Sequence, residues 1–386
     1  MEGLVLKNCG LKIRHILTVI VVSVSMMLVT AIFSSVLVHA DTISDSSVQT
    51  KSNDNIVTGT WGTAPWVWNK AAGELTIDGG NAGMASDAPW KKGGANLDLR
   101  RIKFTGKLVL PANCNRLFMP LTAVISISGM NNLYTSNVTD MSYMFGDFSL
   151  VSNLDVSHFD TSKVTNMSGM FSENKTLRNL DLSSFDTSKV TDMSSMFFNT
   201  YDVKNINLQN LDTSNVLNMN DMFYGCGVQN LDLSNFDTSK VTDMSGMFGN
   251  NLRLKNVNVS NIDTSKVTNM SSMFYNDSKL KNLDMSNFDM TNTSDRSFMF
   301  GNNSNLSTLV IGKKNKFGNL VNLLEVPTTD GYSGKWQNIK DSNGNNINNG
   351  SLYTSEDLMT NYTPEKAGTY TWAKKSTSDI KNFTIK

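Results

Sequence analysis

Histidine and cysteine are scarce in this chain of 386 residues, which contains only three of each. Two of the histidines, His15 and His39, lie in an N-terminal apolar leader, so only His158 remains beyond it. This shortage argues against multi-histidine zinc sites and against catalytic triads that need a histidine base. Cys114 and Cys226, the cysteines beyond the leader, are too few for a disulfide framework. We expect two independent thiols, with a single Cys114–Cys226 disulfide as the alternative.

An excess of either charge is also absent, because 34 Lys and Arg residues balance 34 Asp and Glu residues. Proteins that bind polyanions through their overall charge carry a clear positive excess. The sequence therefore predicts no nucleic-acid partner.

The N-terminus has the pattern of an export signal. Basic residues precede an apolar run of 23 residues at 16–38, and the small residue Ala40 follows. The pattern predicts a signal peptide over 1–40, cleaved after Ala40. Because the run is long enough to span a bilayer, an uncleaved membrane anchor is the alternative, and only then would the protein have a membrane partner. The polar segment 41–56 is predicted to be a disordered spacer. No LPxTG-type sorting signal follows at the far end, so no covalent wall anchoring is expected.

A Met-Phe dipeptide recurs at intervals of 25 or 26 residues. A fixed period of this size is the signature of a solenoid. The aligned units read approximately F-D-T-S-K-V-T-D-M-S-x-M-F, followed by a loop and L-x-N-L-D-L-S. The dipeptides begin at Met144, Met170, Met196, Met222, Met247, Met273 and Met299.

Each unit is predicted to contain a short helix and a short strand. An aspartate at one register, such as Asp160, is interpreted as a helix N-cap. Val164, Met167 and Phe171 then follow at i, i+3 and i+7 spacing, which indicates one inward-facing helical stripe. The last three residues of the segment 177–182 alternate apolar and polar side chains, which predicts a strand with its leucines buried and its aspartate exposed. The predicted fold class is thus an α+β repeat solenoid with a methionine-rich core.

The array is predicted to have about seven strand and short-helix units at 130–312. The segment 57–129 is rich in tryptophan and in strand-like stretches, and it is interpreted as a β-rich N-terminal cap. The segment 313–386 contains an Asn343-Gly344 turn signal and aromatic strand candidates. We interpret it as a small β-rich C-terminal domain.

No residue stands out as a catalytic, cofactor-binding or metal-binding residue. The outward aspartates and asparagines of the strands form a column that is interpreted as a solvated face, with a calcium ladder as the alternative. The segment 341–345 is interpreted as a hairpin turn, although its alternating oxygens are also typical of a calcium loop. His158 is interpreted as a surface variant and Cys226 as a buried filler.

A carbohydrate-active enzyme needs a unique cluster of carboxylates at one rung. Here the aspartates recur at equivalent positions of the repeat, and glutamates are few. The sequence therefore predicts no enzymatic activity.

The units at 180–197 and 231–248 closely resemble the repeats of BspA-like leucine-rich repeat proteins of bacterial surfaces, and the resemblance covers residues 130–312. It implies a leucine-rich-repeat-like array in a bacterial cell-surface or secreted protein. It also implies adhesion to host extracellular matrix, to mucin-type macromolecules or to other cells. The alternatives are a solenoid carbohydrate-active enzyme and a structural spacer of the envelope.

Overall fold

Short parallel strands from successive units stack into a β-solenoid of about nine turns. The computed structural model describes residues 55–91, 98–119 and 121–376, all of which belong to one compact unit of the chain. The predicted signal peptide at 1–40 and nearly all of the predicted spacer at 41–56 lie outside these residues. None of the helices in the part that is described is long and apolar enough to cross a membrane.

The N-terminal strands begin as an antiparallel hairpin and continue as parallel rungs. The strands β1 and β2 pair antiparallel, as do β2 and β3, whereas β3, β5 and β7 pair in parallel, as do β4, β6 and β8. Their bounds are β1 Ile56–Trp61, β2 Ala64–Asn69, β3 Glu74–Ile77, β4 Gly80–Asn81, β5 Arg101–Phe104, β6 Leu108–Val109, β7 Ser126–Ser128 and β8 Leu133–Tyr134.

The central units each contribute a strand of three or four residues. Parallel pairing joins β9 to β10, β11 to β12 and β13 to β14, and the central residue of β9 is buried between exposed neighbours. The predicted strand pattern is therefore confirmed. These strands are β9 Asn179–Asp181, β10 Asn205–Asn207, β11 Asn230–Asp232, β12 Asn256–Asn258, β13 Asn282–Met285 and β14 Thr308–Ile311.

The C-terminal strands close the array by antiparallel pairing. The strand β17 (Gly368–Lys374) pairs antiparallel with β14 and with β15 (Tyr332–Asp341), which in turn pairs with β16 (Leu352–Tyr353). In the described part of the chain the one α-helix is α1 (Ser355–Thr360), and short 3₁₀ turns lie at Ala85–Asp87, Pro89–Lys91, Met130–Asn132, Asn319–Val321 and Pro364–Lys366.

The predicted short helices of the repeat are not confirmed, because turns occupy their positions. Two residues per unit, four positions apart, have left-handed backbone with φ between 51 and 65°. Such residues interrupt a right-handed helix. The N–H groups of the segment also bond elsewhere: those of Met167 and Phe171 donate to the carbonyls of Asp192 and Met196 in the next rung, both at 3.0 Å. The left-handed pairs are Tyr143 and Asp147, Gly169 and Glu173, Ser195 and Asn199, Asp221 and Gly225, Gly246 and Asn250, Ser272 and Asn276, and Phe298 and Asn302.

The count of about seven units is not confirmed either. Parallel rungs begin already at β3, within the segment that the sequence assigns to an N-terminal cap, and they raise the number of turns to about nine. The first rungs lack the Met-Phe dipeptide, which is why the repeat pattern does not reveal them.

The core runs without interruption from Trp61 to Tyr370. The predicted inward residues Val164, Met167 and Phe171 have no exposed surface, which confirms their assignment and the methionine-rich core. One phenylalanine per unit stacks on the next, with ring centroids 5.2 to 6.3 Å apart. Regular aromatic stacking of this kind stabilises the rungs and holds them in register.

Candidate binding surface

Three columns of aspartate and asparagine run along the outside of the solenoid. In each column the side-chain oxygen accepts a hydrogen bond from the backbone N–H two residues further on, which is an Asx turn. The Asp186 carboxylate, for example, accepts from the Ser188 N–H at 3.0 Å. The interpretation of the aspartates at the Asp186 register as helix N-caps is therefore wrong, since they bend the chain at a corner instead. The corner column consists of Asp160, Asp186, Asp212, Asp237, Asp263 and Asp289, and the strand column consists of Asp155, Asp181, Asn207, Asp232, Asn258 and Asp284.

The third column forms a continuous line of isolated parallel bridges between rungs. Each member pairs with the equivalent residue of the next turn, and the sequence reasoning did not single out this register. Its members are Asn113, Asp140, Asn166, Asp192, Asn218, Asp243, Asn269 and Asp295.

Buried threonines support the corner column from inside. The Thr187 hydroxyl donates to the Asp212 carbonyl of the next rung at 2.8 Å, and Thr161, Thr238 and Thr264 repeat this contact. Sequence reasoning missed these threonines, although the D-T-S triplet, which recurs in five units, was a usable signal.

At several positions of the columns, hydrogen bonds favour the ionised carboxylate. The backbone N–H and hydroxyl of Ser183, with the Asn207 amide, hold the pKa of Asp181 below its ordinary value. The Ser188 hydroxyl does the same for the pKa of Asp186. Among the described residues, no group of three or more His, Cys, Asp or Glu side chains lies close enough together to hold a metal ion. The columns are thus charged, fixed in direction and repeated along the axis.

The strand ladder is interrupted between β10 and β11, and again between β12 and β13. At the first interruption a groove of about 500 Å³ opens between the two strands. The buried side chains of Leu208, Val228 and Leu231 form its apolar floor. Lys204, Asn205, Asn207, Asn230 and Asp232 are among the polar residues that line it.

A one-residue deletion accompanies the groove. Asn205 and Asn230 are 25 residues apart, whereas Asn179 and Asn205 are 26 apart. The shortened loop contains Gly227, whose N–H donates to the Thr200 carbonyl at 2.9 Å. A side chain at this position would meet the Tyr201 carbonyl oxygen at 2.1 Å, so glycine is required for this close approach.

Hydrogen bonds between the side-chain amides of asparagines in neighbouring strands are also interrupted at the groove. The Asn205 amide donates upstream to Asn179 at 3.1 Å, and the Asn256 amide donates to Asn230 at 2.6 Å. Asn205 and Asn230 both line the groove and have hydrogen-bonding capacity that their own ladders do not use.

The thiols have no part in these surfaces. Cys114 and Cys226 are both free and buried, so the expectation of two independent thiols is confirmed. Burial raises the pKa of Cys114 to about 12 and also raises the pKa of Cys226. Because the thiolate is the nucleophilic form of cysteine, these raised pKa values leave neither sulfur a reactive nucleophile at neutral pH. His158 is half-buried and packs edge-on against Phe159, with ring centroids 5.1 Å apart.

The segment 341–345 forms the predicted hairpin turn. The Asp341 carboxylate accepts hydrogen bonds from the N–H groups of Asn343 and Asn345 at 2.8 and 2.9 Å. Lys340 and Asn346 then pair antiparallel across the turn. The carboxylate is thus engaged in closing the turn, as Asx geometry predicts.

Two bacterial structures resemble this chain. A leucine-rich repeat protein from Eubacterium ventriosum ATCC 27560 is 16% identical, with 66% of this chain and 78% of that chain covered at a TM-score of 0.32. A leucine rich cell surface protein from Faecalibacterium prausnitzii A2-165 is 13% identical, with 72% and 93% covered at a TM-score of 0.28. Because these TM-scores are low, the fold described above rests on the strand pairing of this chain itself.

A comparison with curated proteins found no match. A family described as "Mycoplasma protein of unknown function, DUF285" matches residues 112–235 and 198–312. These matches include the whole segment 130–312, over which the sequence resembles the 26-residue repeats. Because they span more than half of the sequence, the chain belongs to the DUF285 family.

Proposed function

We propose that this chain is an exported, non-enzymatic binding protein that attaches to a macromolecular partner through its repeat surface. The partners would be host matrix or mucin-type macromolecules, or other cell surfaces, and the protein would act in secreted form or at the bacterial cell surface. The observation that carries the proposal is the outward columns of Asx-turn side chains, which repeat rung by rung.

Two physical features of the columns support binding of an extended partner. The Asx turns fix the direction of each carboxylate before a partner arrives, so little side-chain entropy is lost on binding. The equivalent groups recur once per turn of the solenoid, so a long partner gains from many weak contacts at once.

Export is proposed from the N-terminal sequence. The basic residues, the apolar run at 16–38 and Ala40 together form the signal pattern. These residues lie outside the described part of the structure, so the proposal rests on the sequence pattern.

A binding assay with the full chain tests the proposal against its two rivals. The chain is titrated onto immobilised matrix proteins, mucin and bacterial envelopes, and the supernatant is analysed for released sugar. Saturable binding without product supports adhesion, whereas glycan cleavage supports a carbohydrate-active enzyme. A chain that binds none of these surfaces contradicts adhesion and favours a structural spacer, a role that the uninterrupted core would also serve.

A pair of triple variants locates the binding face. One variant changes Asp155, Asp181 and Asp232 of the strand column to Ala, and the matched control changes Asp160, Asp186 and Asp237 of the corner column. Both remove three exposed carboxylates that close Asx turns. If one column carries the contact, only its own variant loses binding. Equal binding by both variants and the unchanged chain contradicts a role for either column.

A further inference from the structure

A shallow depression of about 400 Å³ lies on the turn side of the solenoid, away from the strand residues that line the groove. It has an aromatic wall formed by Phe198 and Tyr224. Its remaining lining consists of small or polar residues, including Asn220, Asp221, Ser245 and Gly246. Concave sites that combine an apolar wall with a few converging polar groups are typical of small-ligand binding.

The aromatic wall departs from the repeat pattern. The rings of Phe198 and Tyr224 stack with centroids 5.3 Å apart and planes 15° apart, and both are partly buried. The next rung has Gly249 at this register. A Cβ there would lie 2.9 Å from two carbons of the Tyr224 ring, so this glycine leaves space for the tyrosine.

The polar wall of the depression also depends on a glycine in the neighbouring rung. Asp221 is half-buried in left-handed backbone with φ of 53°, and the rung below it carries Gly246. A Cβ on Gly246 would lie 2.0 Å from Oδ1 of Asp221, so only glycine leaves room for this carboxylate. Burial raises the pKa of Asp221, and the nearby Asp243 raises it further, while a hydrogen bond from Asn220 lowers it.

The chemistry of the lining selects among ligand classes. The backbone N–H groups of Asp221 and Gly246 already donate to the carbonyls of Ser245 and Ser271, both at 2.8 Å, so no strand edge is open to a peptide there. The residues that line the depression include neither Lys nor Arg, which disfavours an anion. A pyranose ring presents C–H groups to an aromatic face and hydroxyl groups to carboxylate, amide and serine side chains.

We propose that this depression binds a neutral saccharide unit, which packs its C–H groups against the aromatic wall of Phe198 and Tyr224 and hydrogen-bonds to Asp221. The inference rests on the proposed binding function and names a ligand class for it. The partner would then be recognised through its glycan, at one place on the array, in addition to any contact with the repeated columns.

Calorimetric titration of the full chain with soluble neutral oligosaccharides tests the site. The probes are oligomers of glucose, galactose and N-acetylglucosamine. We expect saturable binding of at least one probe, a loss of about tenfold or more in affinity for Tyr224→Ala, and a smaller loss for Asp221→Asn. The matched control is Tyr275→Ala, because Tyr275 occupies the same register two rungs further on and does not line the depression. Thermal unfolding of each variant shows that it is folded.

Three outcomes overturn the inference. The inference fails if the unchanged chain binds no saccharide, or if Tyr275→Ala weakens binding as much as Tyr224→Ala. It also fails if choline binds in preference to the sugars, which would identify a cation site. A chain that binds matrix, mucin or cells but no free saccharide refutes this inference and leaves the proposed function intact. A chain that binds none of these surfaces and no saccharide refutes both.

Discussion

The Asn251 N–H donates to Oδ1 of Asp277 at 2.8 Å, although Asp277 is fully buried. The Asp277 N–H donates in turn to Oδ1 of Asn303 at 2.7 Å, so the three residues form a buried ladder across successive rungs. In this ladder the side-chain amides of Asn251 and Asn303 donate to phenylalanine carbonyls. The second carboxyl oxygen of Asp277 replaces such an amide and has no partner among the described residues. A proton on that oxygen would restore the donor that asparagine supplies elsewhere.

Asp277→Asn is expected to stabilise the fold at neutral and higher pH. Burial raises the pKa of Asp277 well above its ordinary value of 3.8, so the native state holds a proton that the unfolded state releases. Stability therefore falls as the pH rises above about 4, until the native pKa is passed. The asparagine variant removes this loss, and we expect a gain on the order of 1–3 kcal/mol at pH 8 and little gain at pH 4.

Chemical unfolding of both proteins at pH 4, 6 and 8 measures the effect. The control is Asp181→Asn on the exposed strand column, where hydrogen bonds from Ser183 lower the native pKa and the sign reverses. That variant should lose stability above pH 4. An Asp277→Asn gain that is the same at pH 4 and pH 8 would show that Asp277 is not protonated in the native state.

Val190→Asp is expected to destabilise the whole array and not a single unit. Val190 has no exposed surface and belongs to the continuous core, so the new carboxylate would be buried without a partner. We expect a loss of at least about 3 kcal/mol and one cooperative transition shifted to lower temperature. Calorimetry measures the shift, with the exposed neighbour change Lys189→Asp as control. An unchanged unfolding temperature for Val190→Asp would refute the assignment of Val190 to the buried core.

Gly227→Ala is expected to disturb the shortened unit. The added methyl group would meet the Tyr201 carbonyl oxygen at 2.1 Å, so the loop has to move. We expect a loss on the order of 2 kcal/mol, measured by thermal unfolding. Gly318→Ala is the matched control, since no atom lies within 4 Å of its Cβ position. Equal unfolding temperatures for the two variants would show that the loop is not tightly packed.

Cleavage of the N-terminal segment is a prediction that the sequence makes by itself. If the segment 1–40 is a signal peptide, N-terminal sequencing of the exported protein should begin at Asp41. The same measurement covers the alternative: residues 1–40 retained in a membrane fraction would identify the apolar run as an anchor.

The sequence predicted the rung pattern correctly but not the path of the chain at each corner. The i, i+3, i+7 spacing of Val164, Met167 and Phe171 fits an inward stripe on a helix, and it fits an inward stripe on a bent turn equally well. Sequence spacing records which side chains are buried, whereas the choice between helix and turn depends on where the backbone N–H groups find acceptors. Here they find them in the next rung, about 25 residues away, as Phe171 does at the Met196 carbonyl.

The candidate sites likewise combine features that the sequence determines with features that only the tertiary structure decides. The sequence by itself determined the period, the shortened unit, the buried register and the exposed strand column, because each of these is a property of residue type and spacing. Only the tertiary structure decided that β10 and β11 fail to pair, that Phe198 and Tyr224 stack beside Asp221, and that Asp277 lies within an asparagine ladder. These arrangements depend on contacts between turns of the solenoid. Such contacts follow from the stacking of whole rungs, which no single unit specifies.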